Sequence, residues 1–218
     1  MAINATVVID PGHGGTGPRI GGSDANHAVS PTGVLEKNMT LQLGLLVRDA
    51  LKAAATDGGH DIKVLMTRAT DRNLSLAARA GVAKTNKADR FLSLHFNGFN
   101  KVSRGTETYV RHAADNVNLA DDKKFAQRIQ KAAFSTLKKH DAGAKDRRVK
   151  EEKFGVLSDT SLGNTGGNKK CRACMLELEF IDVKEVDQLL NVNANAATVR
   201  ADVAKALAKA IIDDLENP

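Results

Sequence analysis

Apolar runs rich in β-branched residues alternate with amphipathic segments of helical period along this chain of 218 residues, and this alternation constrains its fold. The apolar runs predict strands at residues 6–10, 61–67, 90–96, 106–111 and 175–181. The amphipathic segments predict helices at residues 38–55, 74–84, 123–139, 183–190 and 197–215. The alternation is typical of an α/β protein with a mainly parallel, twisted sheet. The inner strands are apolar almost throughout, which predicts helices on both faces of the sheet.

The sequence contains no internal repeat, low-complexity tract or linker, so residues 1–218 are predicted to form a single domain. Residues 162–170, rich in Gly and Asn, are predicted to be a surface loop. The longest apolar helical stretch, residues 41–47, is far too short to cross a bilayer. The sequence does not begin with a basic segment followed by a long apolar stretch, so no signal peptide is predicted. The export route is therefore not visible in the sequence.

The charge balance is basic, with a formal net charge of +6 and a pI near 9.3. Such a balance favours polyanionic partners, although the same lysines could simply cover solvated helix faces. The densest basic stretch, residues 145–150, contains an aspartate and is followed by two glutamates. Aromatic residues are scarce, with no Trp and one Tyr. We therefore expect no nucleic-acid partner.

The two cysteines, Cys171 and Cys174, lie at the start of an apolar strand-like run. A structural zinc site needs four ligands, and no second cysteine pair or nearby histidine supplies them. We predict two reduced, partly buried thiols, with a disulfide as the alternative.

Three side chains with metal-binding chemistry are predicted to meet at one edge of the sheet. His13 follows the first strand in a glycine-rich loop, His95 lies near the end of the third strand, and Glu36 precedes the first long helix. Ligands of open α/β sheets collect beyond the carboxyl ends of the strands. Two imidazoles and one carboxylate there form an open zinc site in which water completes the coordination.

Each of these three residues also has a structural interpretation. His13 could be a turn residue, His95 a hydrogen-bonded core histidine, and Glu36 an acid favoured by the helix dipole. Four further histidines lie in predicted loops or near element ends and are interpreted as surface residues: His27, His60, His112 and His140.

A hydrolytic site also needs a base, and the last predicted strand carries two candidates. Glu177 lies among apolar residues, where a carboxylate is costly to bury unless it is partnered or functional. Partial burial would raise its pKa, which suits general acid–base chemistry. Glu179 shares the same strand face by the period of two, so alternation does not choose between them.

Several blocks, in this order, make the chain resemble the zinc-dependent N-acetylmuramoyl-L-alanine amidase family over nearly its full length. The blocks are residues 7–15 (VVIDPGHGG), 33–38 (GVLEKN), 67–71 with 76–79, 91–97 (FLSLHFN), 105–109 (GTETY), 147–157 and 175–181 (MLELEFI). The resemblance implies an α/β amidase fold with one zinc ion per chain, held by His13, Glu36 and His95. It assigns the catalytic carboxylate, general base and then acid, to Glu177. The implied reaction is hydrolysis of the amide bond between N-acetylmuramic acid and the L-alanine of the stem peptide.

The chain departs from the family pattern at a few places. Glu179 stands where the family usually has Gly, and the stretch between residue 15 and Glu36 is longer than usual. The loop at residues 162–170 and the cysteine pair are also unlike the family.

Two other interpretations remain open. A zinc carboxypeptidase acting on stem peptides would share the metal and the base but would need a positive group for the terminal carboxylate. A basic cell-wall-binding module would have no activity. In the favoured interpretation the protein is a monomer that acts on peptidoglycan in the cell wall, periplasmic or extracellular, as an autolysin, a phage lysin or an antibacterial toxin.

Overall fold

Six strands form one sheet in the order β2-β1-β3-β6-β4-β5. The computed structural model describes residues 2–167 and 170–218. The strands are β1 (Asn4–Pro11), β2 (Asp61–Met66), β3 (Arg90–Asn97), β4 (Thr106–Arg111), β5 (Asp146–Glu152) and β6 (Arg172–Phe180). All neighbouring strands are parallel except the antiparallel pair β4 and β6. The predicted α/β class with a mainly parallel sheet is confirmed.

Helices cover both faces of this sheet, as predicted. They are α1 (Glu36–Asp57), α2 (Leu76–Asn86), α3 (Leu119–His140), α4 (Asp159–Leu162), α5 (Lys184–Asp187) and α6 (Ala196–Glu216). The larger apolar cluster joins α1, α3 and α6 to one face. A smaller cluster joins α2 and the segment around α4 to the other face. In β1, Val7 and Ile9 belong to the larger cluster and Val8 to the smaller, so this inner strand is buried on both sides.

Strand β5 was not predicted, because its sequence is charged at six of seven positions. It lies at the edge of the sheet and pairs only with β4, so its charged side chains reach solvent. Charged side chains are common on edge strands, since they discourage pairing with another chain. Hydrophobic periodicity alone therefore misses this strand.

The helix predicted at residues 183–190 is interrupted. Its first part is the short helix α5, and Gln188–Val192 continues as one π-helical turn. The loop predicted at residues 162–170 lies partly outside the described residues, which stop at Gly167 and resume at Lys170. In the described part of the chain, no helix is long and apolar enough to cross a membrane.

The two cysteines are free thiols and fully buried, which corrects the expectation of partial burial. Cys174 packs in the larger apolar cluster and Cys171 in the smaller one, so the two side chains lie on opposite faces of the sheet. This separation excludes the disulfide. Burial raises the pKa of both thiols, which keeps them protonated and unreactive.

Asp122 in the first turns of α3 is a buried carboxylate that has no cationic partner at hydrogen-bond distance among residues 2–167 and 170–218. It accepts hydrogen bonds from the backbone N–H of Ala173 at 2.9 Å and from the side-chain amides of Asn116 and Asn118 at 3.0 Å each. Burial outweighs these bonds and raises the pKa of Asp122 to about 7. The charged form is thus disfavoured in the folded protein.

We expect this carboxylate to make the fold less stable as the pH rises. The folded state keeps the Asp122 proton at pH values where the unfolded chain has lost it, so its contribution is complete below the ordinary pKa of 3.8 and is lost as the pH rises through 7. Relative to Asp122→Asn, the free energy of unfolding of the wild type should fall by about 2 kcal/mol between pH 5 and pH 7.

Urea unfolding of both proteins across this range measures the difference. Asp121→Asn is the matched control, because Lys124 lowers the pKa of this neighbouring carboxyl and nothing titrates there between pH 5 and pH 7. If the free energies of unfolding of the wild type and Asp122→Asn differed by the same amount at pH 5 and pH 7, the raised pKa of Asp122 would be contradicted.

Candidate active site

The three residues predicted as metal ligands lie together at the carboxyl edge of the sheet. His13 follows β1, and His95 lies two residues before the end of β3. Glu36 is the first residue of α1 rather than the residue before it. Glu36 Oε1 is 3.1 Å from His13 Nε2 and 3.2 Å from His95 Nδ1. One donor atom from each side chain lies within 4.8 Å of the other two.

Backbone groups fix the orientation of these donors. The Nδ1–H of His13 donates to the carbonyl oxygen of Asp24 at 3.0 Å, so Nε2 is the ring nitrogen that faces Glu36. The Glu36 carboxylate accepts from the backbone N–H of Phe96 at 3.1 Å and from that of Ala28 at 3.0 Å. Such outer contacts orient the ligands of metal sites.

The charges of the three groups suit a cation. Burial raises the pKa of Glu36, but the hydrogen bonds from His13 and His95 outweigh it and hold the pKa well below its usual range. Burial lowers the pKa of His95 and favours the neutral imidazole. Burial also acts to lower the pKa of His13, but Glu36 outweighs it and the net shift is upward. A bound divalent cation would take the place of that proton.

Glycine is required beside His13 for reasons of space. A Cβ on Gly12 would lie 2.2 Å from Cε1 of His95, and one on Gly14 would lie 2.2 Å from the backbone oxygen of Arg72. Gly14 has φ of +131°, and His13 itself has φ of 58°, in the left-handed region. The two glycines let the loop turn close enough to β3 for the two imidazoles to meet.

Two buried arginines hold the same loop by its carbonyl groups. Arg68 donates from Nε to Pro11 O at 2.9 Å. Arg79 donates to His13 O at 2.6 Å and pairs with the buried Asp10 carboxylate at 2.9 Å. Burial raises the pKa of Asp10, but Arg79 and two hydroxyl donors bring the net shift below the usual value. Both arginines lie in the blocks that carry the resemblance, but their hydrogen bonds to this loop were not predicted from the sequence.

A cavity of about 480 Å³ opens over the three residues. Its wall includes His13, Glu36 and His95 together with Glu177 from β6 and His27 from the loop before α1. It is the place where a substrate can reach the candidate metal ligands.

Glu177 stands opposite His95 in the parallel pairing of β3 and β6. Its Oε2 is buried without a hydrogen-bond partner among the described residues. Burial, followed by the negative charges of Glu36 and Glu107, raises its pKa well above the usual value. An unpartnered buried carboxylate oxygen is costly, so the fold maintains this group for something other than its own stability.

Glu179 does not share this environment, which corrects the expectation from alternation. The β3–β6 register shifts after the Glu177 pair, and the period of two no longer applies. The Glu179 carboxylate instead accepts from the backbone N–H groups of Gly105 at 2.8 Å and Phe180 at 2.9 Å, and from Arg104 at 3.3 Å. It is fully buried and absent from the cavity wall.

Glu107 was missed by the sequence analysis, although its block was noted. It lies on β4 in register with Glu177 and is buried. Its carboxylate accepts from Asn97 Nδ2 at 2.8 Å and from Arg147 Nε at 2.7 Å, and it also pairs with Lys150. It is thus a second negative charge beside Glu177, held in place by two cations of the unpredicted strand β5.

Of the histidines interpreted as surface residues, His60 needs correction. His27 is exposed, as predicted, and it also lines the cavity with its ring stacked on His13 at a centroid distance of 6.5 Å. The His60 side chain is only 8% exposed: its ring accepts from the backbone N–H of Ile3 and lies 3.6 Å from the Glu216 carboxylate. His112 is exposed, as predicted, and His140 is partly exposed.

Comparison with known proteins identifies relatives of this chain. A family model described as N-acetylmuramoyl-L-alanine amidase matches residues 7–212. The chain is 35% identical over 188 residues to an uncharacterized cell wall amidase of Bacillus anthracis, which covers 82% of this chain and 30% of that protein. It is 30% identical over 161 residues to the N-acetylmuramoyl-L-alanine amidase LytC of Bacillus subtilis, covering 73% of this chain and 28% of LytC.

The chain therefore spans less than a third of the length of either of these relatives. Among solved structures, an N-acetylmuramoyl-L-alanine amidase from Clostridium difficile 630 matches with a TM-score of 0.76 at 25% identity, over 99% of each chain. The resemblance inferred from the sequence blocks is confirmed. The chain belongs to the N-acetylmuramoyl-L-alanine amidase family.

Proposed function

We propose that this chain hydrolyses the amide bond between N-acetylmuramic acid and the L-alanine of the peptidoglycan stem peptide. The observation that carries the proposal is the meeting of His13, Glu36 and His95 within 4.8 Å in a cavity that Glu177 also lines. Its Oε2 has no hydrogen-bond partner in the described part of the chain. Membership of the N-acetylmuramoyl-L-alanine amidase family supports the choice of this amide bond as the one that is hydrolysed.

We propose that His13, Glu36 and His95 hold one zinc ion per chain. Two imidazole nitrogens and one carboxylate oxygen are the donor set of an open catalytic zinc site. The site fits the ion, because Glu36 is ionised and the His13 tautomer presents Nε2 to it. Bound there, zinc would polarise the scissile carbonyl and lower the pKa of a water molecule.

In this proposal Glu177 moves the proton of the reaction. It takes a proton from the attacking water, whose oxygen bonds to the carbonyl carbon, and then donates it to the amine of L-alanine as the carbon–nitrogen bond breaks. A carboxylate whose pKa is raised by burial is suited to both steps, because it is a stronger base than an exposed carboxylate and its protonated form can then donate to the amine.

The substrate is proposed to be peptidoglycan, and the place of action the cell wall, periplasmic or extracellular. The net charge of +6 supports association with anionic wall polymers. We also propose that the chain acts as a monomer, which size-exclusion chromatography with light scattering would test.

Digestion of purified peptidoglycan tests the proposed bond. We expect the wild-type protein to release intact stem peptides that carry a free L-alanine amine, detected by mass spectrometry after amine labelling. Release of single amino acids would instead indicate a carboxypeptidase. Binding to the wall without any release would indicate a non-catalytic module.

Glu36→Ala tests the metal site. Removing the shared carboxylate should reduce bound zinc from roughly one ion per chain to near zero and abolish amide hydrolysis, because two imidazoles alone hold zinc weakly. Metal content is measured by mass spectrometry after dialysis. Glu185→Ala, at an exposed position in α5, is the matched control and should keep both zinc and activity. Full zinc content in Glu36→Ala would contradict this ligand set.

A further inference from the structure

We propose that His27 contacts the substrate, donating a hydrogen bond from its imidazole to the carbonyl oxygen of the scissile amide bond. The inference rests on the proposed function, since it assigns a further residue to the same cavity. His27 lines that cavity with its ring parallel to the ring of His13, at an interplanar angle of 17° and a centroid distance of 6.5 Å.

The segment that carries His27 is tied at both ends to the candidate metal ligands. At one end, the carbonyl oxygen of Asp24 accepts from His13 Nδ1 at 3.0 Å. At the other end, the N–H of Ala28 donates to Glu36 Oε2 at 3.0 Å, and the N–H of Glu36 donates to Ala28 O at 3.0 Å. The backbone on both sides of His27 is therefore positioned by the groups that would hold the metal.

The middle of the segment is also fixed. The Asn26 side chain donates to Ala28 O at 2.9 Å and accepts from the backbone N–H of Lys37 at 2.9 Å. Ala25 O accepts from the N–H of Gly14 at 2.9 Å. These hydrogen bonds fix the backbone beside His27 and so hold its side chain in a defined place. A residue that positions a substrate must itself be held in this way.

The imidazole of His27 is not used by the fold. The residue is exposed, and among the described residues none hydrogen-bonds to its ring nitrogens. The His27 ring stacks on the ring of His13. A histidine kept for stability would bury its ring or pair its nitrogens, as His60 does.

Several other donors of the cavity wall have partners in the protein. Arg19 lies 3.7 Å from Asp24, and Lys153 lies 3.3 Å from Asp115, both as exposed ion pairs. Asn97 donates its amide to Glu107 at 2.8 Å. An imidazole has an N–H to donate in either protonation state, so His27 can bind a carbonyl oxygen whether or not it is charged.

Hydrogen bonds to an oxygen on which negative charge develops speed acyl transfer, and one such donor contributes about 10²- to 10³-fold. In the proposed site zinc would share this oxygen, so we expect a smaller contribution from His27. His27→Ala should therefore lower kcat/KM for a soluble muramoyl peptide by about 10- to 100-fold, with zinc content unchanged. His27→Gln, which keeps a side-chain donor, should recover part of this loss. His112→Ala is the matched control, an exposed histidine outside the cavity wall, and should behave as the wild type.

A binding measurement separates substrate contact from a structural effect. In the Glu177→Gln background, adding His27→Ala should weaken equilibrium binding of the uncleaved muramoyl peptide severalfold, read by calorimetry. The inference is overturned if His27→Ala keeps kcat/KM and binding within about two-fold of their parents, or if it loses zinc together with activity. A wild-type protein that binds zinc but cleaves no muramoyl peptide would overturn the proposed function and this inference with it.

Discussion

Glu177→Gln is expected to lose about 10²- to 10⁴-fold of the wild-type turnover, the usual contribution of a positioned general acid–base group. The amide keeps the shape of the side chain but can neither accept the proton of the attacking water nor return it to the amine. Bound zinc should stay at the wild-type amount, because Glu177 is not among the three residues whose donor atoms converge. Initial rates on soluble muramoyl peptides and metal content measure the two effects.

Glu179→Gln is the matched control, made two residues along the same strand. Its carboxylate holds the backbone of Gly105 and Phe180 and is absent from the cavity wall. We expect it to lose stability while keeping turnover per folded molecule near the wild-type value. If Glu179→Gln were inactive while Glu177→Gln turned over normally, the assignment of the base would be wrong.

Arg79→Met should lower the free energy of unfolding by about 3–5 kcal/mol, the cost of removing one partner from a buried ion pair. The Asp10 carboxylate is fully buried and would lose its cation, and the carbonyl oxygen of His13 would lose its donor. We also expect weaker zinc binding, since the loop that positions His13 would be released. Urea unfolding and a zinc titration against a chelating dye measure the two effects.

Arg72→Met is the control for this substitution. Arg72 lies seven residues before Arg79 and its side chain is exposed, so its replacement should change stability by less than about 0.5 kcal/mol. A cost of under 1 kcal/mol for Arg79→Met would show that the Asp10–Arg79 pair does not hold the loop, whatever its burial.

The sequence predicts the inner sheet and the candidate ligands because both leave a local signal. The centres of β1 and β3 are buried on both faces and are mainly apolar, at residues 7–9 and 91–96. Ligands that follow such strands share the carboxyl edge of a parallel sheet, which places His13 and His95 together before any coordinates are known. The glycines around His13 also leave a local signal in the sequence. The backbone there approaches neighbouring atoms so closely that there is no room for a Cβ.

Strand β5 and the burial of Glu107 could not be predicted from local sequence. The residues of β5 are charged because the strand lies at the edge of the sheet, and no periodic apolar pattern marks it. Glu107 is buried only because Arg147 and Lys150 from that strand pair with it across some forty residues of sequence. Contacts over such distances are decided by strand order, which local sequence does not specify.

The choice between Glu177 and Glu179 was also decided by tertiary structure. Two carboxylates two residues apart share a face in a regular strand, and only the register shift between β3 and β6 separates them. The place of His27 is a similar case: in sequence it is a loop histidine, and hydrogen bonds from the loop to His13 and Glu36 bring it to the cavity. Local sequence thus determined which strands are buried and where their polar ends lie, because burial selects residue type position by position. Register, strand order and loop placement depend on pairings between distant segments, and these form only in the folded molecule.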